Sequence, residues 1–426
     1  MDRKKIAIIG SGISGLGAAW LLRNDFDVTV YEQNDYVGGH SNTQTVETPG
    51  GPVSIDTGFM VMNHKTYPNL VELFKVLNIS LVKTDMSFGV YKETEDFQFI
   101  SNKPIGRVHE IFRPRFWRMI TDILYFNNNA ELFLLDHGDT EYTLAELCQK
   151  LSLSEAFMEY YLLPMTGAIW SAESKQMSGY SARLMVEFLS NHGLLNPKSL
   201  NPFSKRNTTV QWYTLKNGSI EYVQKIVNEL EDSFHINRGV TNILSQDDKI
   251  LVTDVHDKTE TYDYVICAGH PNQTRSFLEK PTQKQTQILK AFTYSTNEMY
   301  VHRDTSFMLP HGNTWPSWTS KKLHTGTELS YYMNNLQHKD EQYPLIVTLN
   351  PSTSIAKEDI LYKTIYEHPI FNLKTAHAQK NLDSIQGVDN IFFAGAWTRH
   401  GFHEDGLLSA INIAKKLGVT IPWEKQ

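Results

Sequence analysis

Cysteine is scarce in this 426-residue sequence, where Cys148 and Cys267 are the only two. They form neither a CxxC pair nor a metal-ligand spacing, which speaks against a disulfide framework or a zinc site and fits a reducing compartment. Long apolar runs are missing too, and nothing approaches the roughly 18 uninterrupted residues of a membrane-spanning helix. The basic start at Arg3, Lys4 and Lys5 leads into an apolar run that breaks at Gly10 and reads as a strand, so a cleaved leader is not expected. Charge of one sign does not accumulate. The formal net charge is −7 without long runs, which speaks against nucleic acid as a partner. Repeats and low-complexity segments are absent. What is there is a globular composition, 41% hydrophobic and 20% charged, on a chain longer than one core usually supports, so two domains are expected. Aromatic residues make up 12% and cluster mid-chain, where a substrate surface would use them.

The first forty residues carry the strongest pattern. Ile6 to Ile9 reads as a buried parallel strand, followed by Gly10, Gly12 and Gly15 and then an apolar helix containing Leu16, Leu21 and Leu22. Gly10 permits the tight bend, Gly12 lets the backbone approach a pyrophosphate, and Gly15 lets the helix pack close to the strand. The helix start then offers unpaired N–H groups and a positive dipole end to phosphate, with Ser14 in its first turn. A second strand, Val28 to Tyr31, ends in Glu32, 22 positions after Gly10, where a carboxylate can accept hydrogen bonds from a ribose diol. Gln33 is counted with it among the nucleotide contacts.

A glycine loop follows at Gly38-Gly39-His40, then a short strand and turn, Val53 to Phe59 through Asp56, Thr57 and Gly58. On these residues the chain resembles the amine-oxidase and phytoene-desaturase superfamily of flavoproteins. The resemblance implies FAD rather than NAD, with Gly38 and Gly39 near the pyrophosphate and Thr57, Gly58 and Phe59 near the isoalloxazine ring. His40 departs from the arginine that the family often has there. By the same resemblance Val240 contacts adenine through its backbone, and Ala268 lies at the small-residue exit of a strand ending Tyr264-Val-Ile-Cys-Ala268-Gly-His-Pro.

Between these segments the pattern is helical at Leu70, Leu73, Phe74 and Leu77, at Leu144 to Leu151 and at Phe157 to Leu163. The stretch Ile111 to Phe126 combines Arg113, Arg115 and Arg118 with large apolar residues. That composition suits an interfacial helix on anionic lipid, or an ordinary helix with solvated arginines. Strands are expected at 235–237, 250–256, 261–268, 297–303 and 345–349. The dense aromatics Trp315, Trp318, Tyr331 and Tyr332 are either core or the wall of an apolar tunnel. Trp170, Tyr300, Trp315 and Tyr332 are the expected substrate contacts.

A second signature closes the chain. An apolar strand ends at Gly395-Ala396, and the loop Gly401-Phe-His403-Glu404-Asp405-Gly406 opens a helix with Leu407. A helix start here would stabilise negative charge on a reduced flavin ring. Ala396 stands where many amine oxidases have glutamate. The wording of this loop, with Tyr331 to Gln337, Thr348 to Pro351 and His368-Pro369, further resembles a bacterial group of NAD/FAD-binding proteins. Its members are often encoded beside cyclopropane-fatty-acid-synthase-like methyltransferases, and they include the desaturase of furan fatty acid synthesis.

That resemblance implies removal of two hydrogens from a methyl-branched acyl chain of a phospholipid, with the methyltransferase as a functional partner. His403 and Glu404 are the candidate bases, because their loop should pass the flavin and a base must reach the carbon. No metal site is expected. The overall expectation is an α/β protein: a glutathione-reductase-like FAD domain with a β-meander, at 1–65, 208–282 and 385–426. It is interleaved with an α+β substrate domain at 66–207 and 283–384. The alternatives are a flavin amine oxidase and a non-catalytic lipid-chain carrier. The expected location is cytoplasmic, with a peripheral contact to the inner membrane face as the variant.

Overall fold

The computed structural model describes residues 3–101, 108–138, 140–170, 177–192, 195, 210–311, 314–340 and 342–424. The fold is mixed α/β. Its first sheet has five parallel strands in the order Phe234–His235, Asp27–Tyr31, Lys5–Ile9, Tyr264–Cys267, Ile391–Phe393. Side chains alternate across a strand, so this sheet buries two different faces. Ile6, Ile8, Val28, Val30, Ile266 and Phe392 share a core with the helices Ile13–Leu22 and His403–Lys416. Ala7, Ile9, Val265, Cys267 and Phe393 share another with the meander Val240–Gln246, Lys249–Asp254, Thr259–Tyr262. Both cysteines are free and buried, and burial pushes their thiols up.

The run expected as one strand over 261–268 is two. It leaves the meander at Tyr262 and joins the parallel sheet at Tyr264, because Asp263 turns to accept a hydrogen bond from the Lys5 N–H at 2.7 Å. The strands Val240–Gln246 and Ile360–Ile370 were not legible in the residue pattern. The second is a long partner of Thr293–His302, and its residues are only partly buried, so no clean alternation announces it.

The second sheet has seven strands: Ile360–Ile370, Thr293–His302, Ile346–Leu349, Thr327–Tyr332, Trp318–Lys322, Phe88–Lys92, Phe97–Ile100. All pairings are antiparallel except that of Trp318–Lys322 with Phe88–Lys92. Helices Pro114–Asp136, Leu144–Lys150, Leu163–Trp170 and Ala182–Asn191 pack in its core through residues such as Phe116, Ile123, Phe126, Leu147 and Met185. Helix Pro68–Val76 lies beyond the expected boundary at 65, yet its Leu70, Leu73 and Phe74 pack in the core of the first sheet. The boundary at 207/208 falls outside the described residues.

Helix Pro114–Asp136 covers the segment that reads as interfacial. Its inner face is buried, while Trp117, Tyr125, Leu132 and Leu135 stand exposed on the outer face. Arg113, Arg115 and Arg118 form ion pairs with Glu110, Glu95 and Asp122. Among the described residues no helix is long and apolar enough to cross a membrane.

Buried Asp56 ties the two portions together. Its Oδ1 accepts from the Ser219 N–H at 2.8 Å and from the hydroxyls of Thr43 and Ser219, and its Oδ2 accepts from the Gln337 amide at 2.6 Å. Four hydrogen bonds from three distant segments hold one carboxylate, so it locks the crossing between the sheets.

Candidate functional site

One cavity of about 1230 Å³ is lined by residues of both sheets. Ordinary small-molecule sites span roughly 300–1,000 Å³, so this one has room for a dinucleotide with a second ligand beyond it. At its first end, glycine shapes the backbone. Gly10 has φ +102°, and a Cβ on Gly15 would lie 1.9 Å from the Gly10 carbonyl oxygen, so the helix can start this close to its strand only with glycine there. A Cβ on Gly12 would meet nothing within 4 Å, which leaves that backbone open to the cavity, and one on Gly39 would lie 3.0 Å from the Gly12 Cα.

Glu32 is buried at the same end. Its Oε2 accepts from the Ser11 N–H at 3.0 Å and the Ser11 hydroxyl at 2.5 Å, and its Oε1 from the Asn34 N–H at 2.9 Å. The carboxylate is therefore fixed in orientation, with lone pairs left for a diol. Ser14, Gln33, His40, Val240 and Ala268 line this part of the cavity too. Gly38 does not; its N–H donates to the Ser11 carbonyl at 3.1 Å and its carbonyl accepts from the Ser41 N–H at 3.0 Å, which shapes the loop.

Farther along, Thr57, Gly58, Phe59, Gly395, Ala396 and His403 form the wall. The His403 ring lies flat on Phe59 with centroids 3.8 Å apart, and its Nε2 is 2.9 Å from the Ser41 hydroxyl, which also bonds the Tyr222 hydroxyl. Burial holds the His403 pKa down at about 3, so its imidazole is neutral at ordinary pH. The helix His403–Lys416 begins here, and its start brings unpaired N–H groups and a positive dipole end to this wall.

Several expected contacts are structural instead. Glu404 points away from the cavity: Oε1 accepts from the Asn69 N–H at 3.1 Å and its side-chain amide at 2.7 Å, and Oε2 accepts from the Leu70 N–H at 2.9 Å. It caps helix Pro68–Val76 and does not line the cavity. Asp405 accepts from the His400 and Phe402 N–H groups at 3.2 and 3.0 Å, and burial raises its pKa to about 6. Gly406 is a packing point, since a Cβ there would lie 2.7 Å from Ile13 and 2.8 Å from the Ser14 hydroxyl; Leu407 sits against Gly17 in the same helix crossing. These residues hold the wall without lining it.

At the far end the wall is aromatic and aliphatic, with Phe99, Tyr161, Met165, Trp170, Phe188, Trp212, Trp318 and Tyr331. Trp170 is there as expected, and its indole N–H donates to the His400 carbonyl at 3.0 Å. Tyr300, Trp315 and Tyr332 are not. The Tyr300 hydroxyl lies with Glu298 on the exposed side, and Trp315 and Tyr332 pack with Met308 and Ile346 in a separate small core. The residues on the cavity are Trp318 and Tyr331, paired across the strands with rings 4.7 Å apart. One position along a strand turns a side chain to the opposite face, so choosing Tyr332 over Tyr331 reverses the answer.

Residue pattern also missed the histidines of this wall: His192, His270 and His368. His192 and His270 follow the ends of a helix and a strand, and His368 lies in the strand Ile360–Ile370, whose pattern does not alternate, so no periodicity points at a neighbour. Among the described residues the cavity is lined by no lysine or arginine, and none holds a metal-binding cluster.

An open glycine loop at a helix start, an oriented acid at the end of the second strand, and a second helix start at the far wall define a dinucleotide-binding protein of the flavoprotein class. The chain belongs to the family of flavin-containing amine oxidoreductases, whose pattern matches residues 13–367. It is a flavin-containing oxidoreductase, and its cofactor is FAD. The CLA-producing fatty acid isomerase from P. acnes has the same fold, at 13% identity and TM-score 0.68, with 98% of this chain and 99% of that one covered. So does cyclohexylamine oxidase from Brevibacterium oxydans IH-35A, at 17% identity and TM-score 0.62, with 98% and 100% covered. A 63-residue stretch is 38% identical to 4,4'-diaponeurosporene oxygenase of Staphylococcus haemolyticus (strain JCSC1435); it spans 15% of this chain and only 12% of that protein.

The residues fit the cofactor. The open Gly12 backbone suits a diphosphate, Glu32 suits the ribose, and the wall from Thr57 to Phe59 with the helix start at His403 suits the flavin ring.

Proposed function

We propose that this chain desaturates a fatty acyl chain, specifically a methyl-branched chain of a phospholipid that already carries one C=C, by removing two hydrogens beside that double bond to give a conjugated diene. The observation that carries the reading is the far wall of the cavity, built from Phe99, Met165, Phe188, Trp212, Trp318 and their neighbours, which can bury a long apolar chain. FAD when bound supplies an acceptor for a hydride. The protein lays the chain along the aromatic wall, excludes water, and takes the second, allylic hydrogen as a proton. His403 is the proposed acceptor of that proton, since it lines the cavity and its Nδ1 is not engaged by Ser41. Its low pKa keeps it unprotonated, and a carbon next to one that has lost a hydride releases its proton readily.

Amine oxidation has less support. No lysine lines the described cavity, and its acids Glu32, Asp85 and Glu367 are already hydrogen-bonded to Ser11 and Asn34, to Ser317, and to His270. The exposed aromatics of helix Pro114–Asp136 support a peripheral contact with the membrane that holds the phospholipid, on its cytoplasmic face. A methyltransferase that builds the branch would then supply the substrate.

Anaerobic mixing with a panel of lipids and amines tests the reading through the visible flavin absorbance. Bleaching by methyl-branched phospholipid is expected. Bleaching by benzylamine or a polyamine instead makes the protein an amine oxidase, and no bleaching with tight lipid binding makes it a carrier.

A further inference from the structure

FAD carries a diphosphate, yet no lysine or arginine lines the described cavity. The groups on that wall able to become cations are histidines. Three of them converge beside the glycine loop. His40 follows Gly39, which abuts Gly12, and its ring lies 5.4 Å from that of His368 and stacks at 4.7 Å on Tyr366. Its Nε2 is shut off from solvent without any hydrogen-bond partner. His270 approaches from the other side, two residues after Ala268, whose carbonyl packs against Gly10.

Hydrogen bonds assign the tautomers of two rings. His368 Nδ1 lies 2.9 Å from the Asn297 amide nitrogen. The Asn297 oxygen already accepts from Asn350 at 2.8 Å, so its NH₂ donates and His368 Nδ1 accepts. His368 therefore carries its proton on Nε2. His270 Nδ1 faces the Glu367 carboxylate at 3.0 Å, so Nδ1 holds a proton and Nε2 is the lone pair. One ring thus offers a neutral N–H donor, and the other is a base already backed by a carboxylate.

We propose that His40, His270 and His368 form the site for the diphosphate of FAD, and that binding places one proton on His270 Nε2. The new imidazolium stands between Glu367 behind it and the diphosphate in front, and His368 donates its Nε2–H without titrating. The groups facing this cluster are Glu367, Tyr294, Tyr366 and His403, with Tyr36 and Tyr362 farther out. Burial keeps the Tyr294 and Tyr366 hydroxyls neutral, so the carboxylate facing the cluster is that of Glu367, against His270 Nδ1. Burial and mutual repulsion keep the histidines unprotonated before the anion arrives, and the arriving charge reverses the balance at His270.

Binding of FAD to apoprotein, followed by flavin fluorescence and by calorimetry in two buffers of different ionisation enthalpy, tests this between pH 6.5 and 8.5. The expected result is uptake of up to one proton per FAD and a Kd that rises with pH, by at most about tenfold per pH unit. ADP-ribose, which has the diphosphate and no flavin, should show the same linkage, and riboflavin, which has no phosphate, should show none. His270→Gln should abolish the uptake and weaken FAD. Glu367→Gln should reduce the uptake while leaving the ring in place, which covers a folding defect in the first variant. A Kd flat across this range overturns the proposal, as does equal proton uptake by wild type and H270Q, or linkage with riboflavin. None of these readouts involves a substrate, so the outcome is independent of the desaturase reading.

Discussion

Glu404 illustrates how a single side chain can look catalytic and be structural. It sits in the first turn of helix His403–Lys416 at the ring end of the cavity, next to His403, but its carboxylate satisfies N–H groups in the first turn of helix Pro68–Val76. Its removal leaves buried donors without partners, a cost of about 1–3 kcal/mol. Glu404→Ala is therefore expected to lower the melting temperature while keeping bound FAD and a flavin reduction rate within about twofold of wild type. A large loss of rate at an unchanged melting temperature would restore it as the base. His403 is the contrasting case. Its neighbours Phe59 and Ser41 come from a distant part of the chain, and they, with burial, set its orientation and its neutral state.

At the scale of elements, strand alternation decides the substrate wall. Trp318 and Tyr331 face the cavity, while Trp315 and Tyr332 face the small core with Met308. Trp318→Ala should weaken binding of a fluorescent fatty acid by roughly tenfold, about 1.4 kcal/mol, with little change in folding. Tyr332→Ala should do the reverse, costing roughly 3–5 kcal/mol of stability and leaving the affinity of folded protein unchanged. Equal effects of both changes on affinity would mean that the assignment of faces is wrong. Tyr161, another wall residue, lies on the π-helical turn Met158–Leu162, where the widened turn displaces side chains from regular helical spacing. Such an irregularity has no signature in a hydrophobic pattern, so this part of the wall was not foreseeable.

Across the whole molecule, buried neutral histidine creates an acid liability. Burial lowers His192, His302, His368 and His400 to about 4 and His403 to about 3. In the unfolded chain histidine titrates near 6.5, so between about pH 6.5 and 4 the unfolded state binds more protons and folding stability drops as the pH is lowered. Each such ring removes up to about 1.4 kcal/mol per pH unit in that window. Denaturant unfolding of the FAD-bound protein should show a loss of several kcal/mol from pH 6.5 to 5; a flat profile there would contradict the buried neutral state. The nucleotide half was legible in the sequence, because the turn at Gly10, the open backbone at Gly12 and the acid at Glu32 depend on local spacing within one strand-helix-strand unit. The second glycine signature likewise marks a helix start by local chemistry alone. Which tyrosine of a neighbouring pair meets the cavity depends on the register of Trp318–Lys322 against Thr327–Tyr332 and on how that sheet packs, while which carboxylate caps a distant helix and which histidines gather beside His40 depend on contacts between segments more than three hundred residues apart. Those choices follow from strand register and packing in three dimensions, and no local period encodes them.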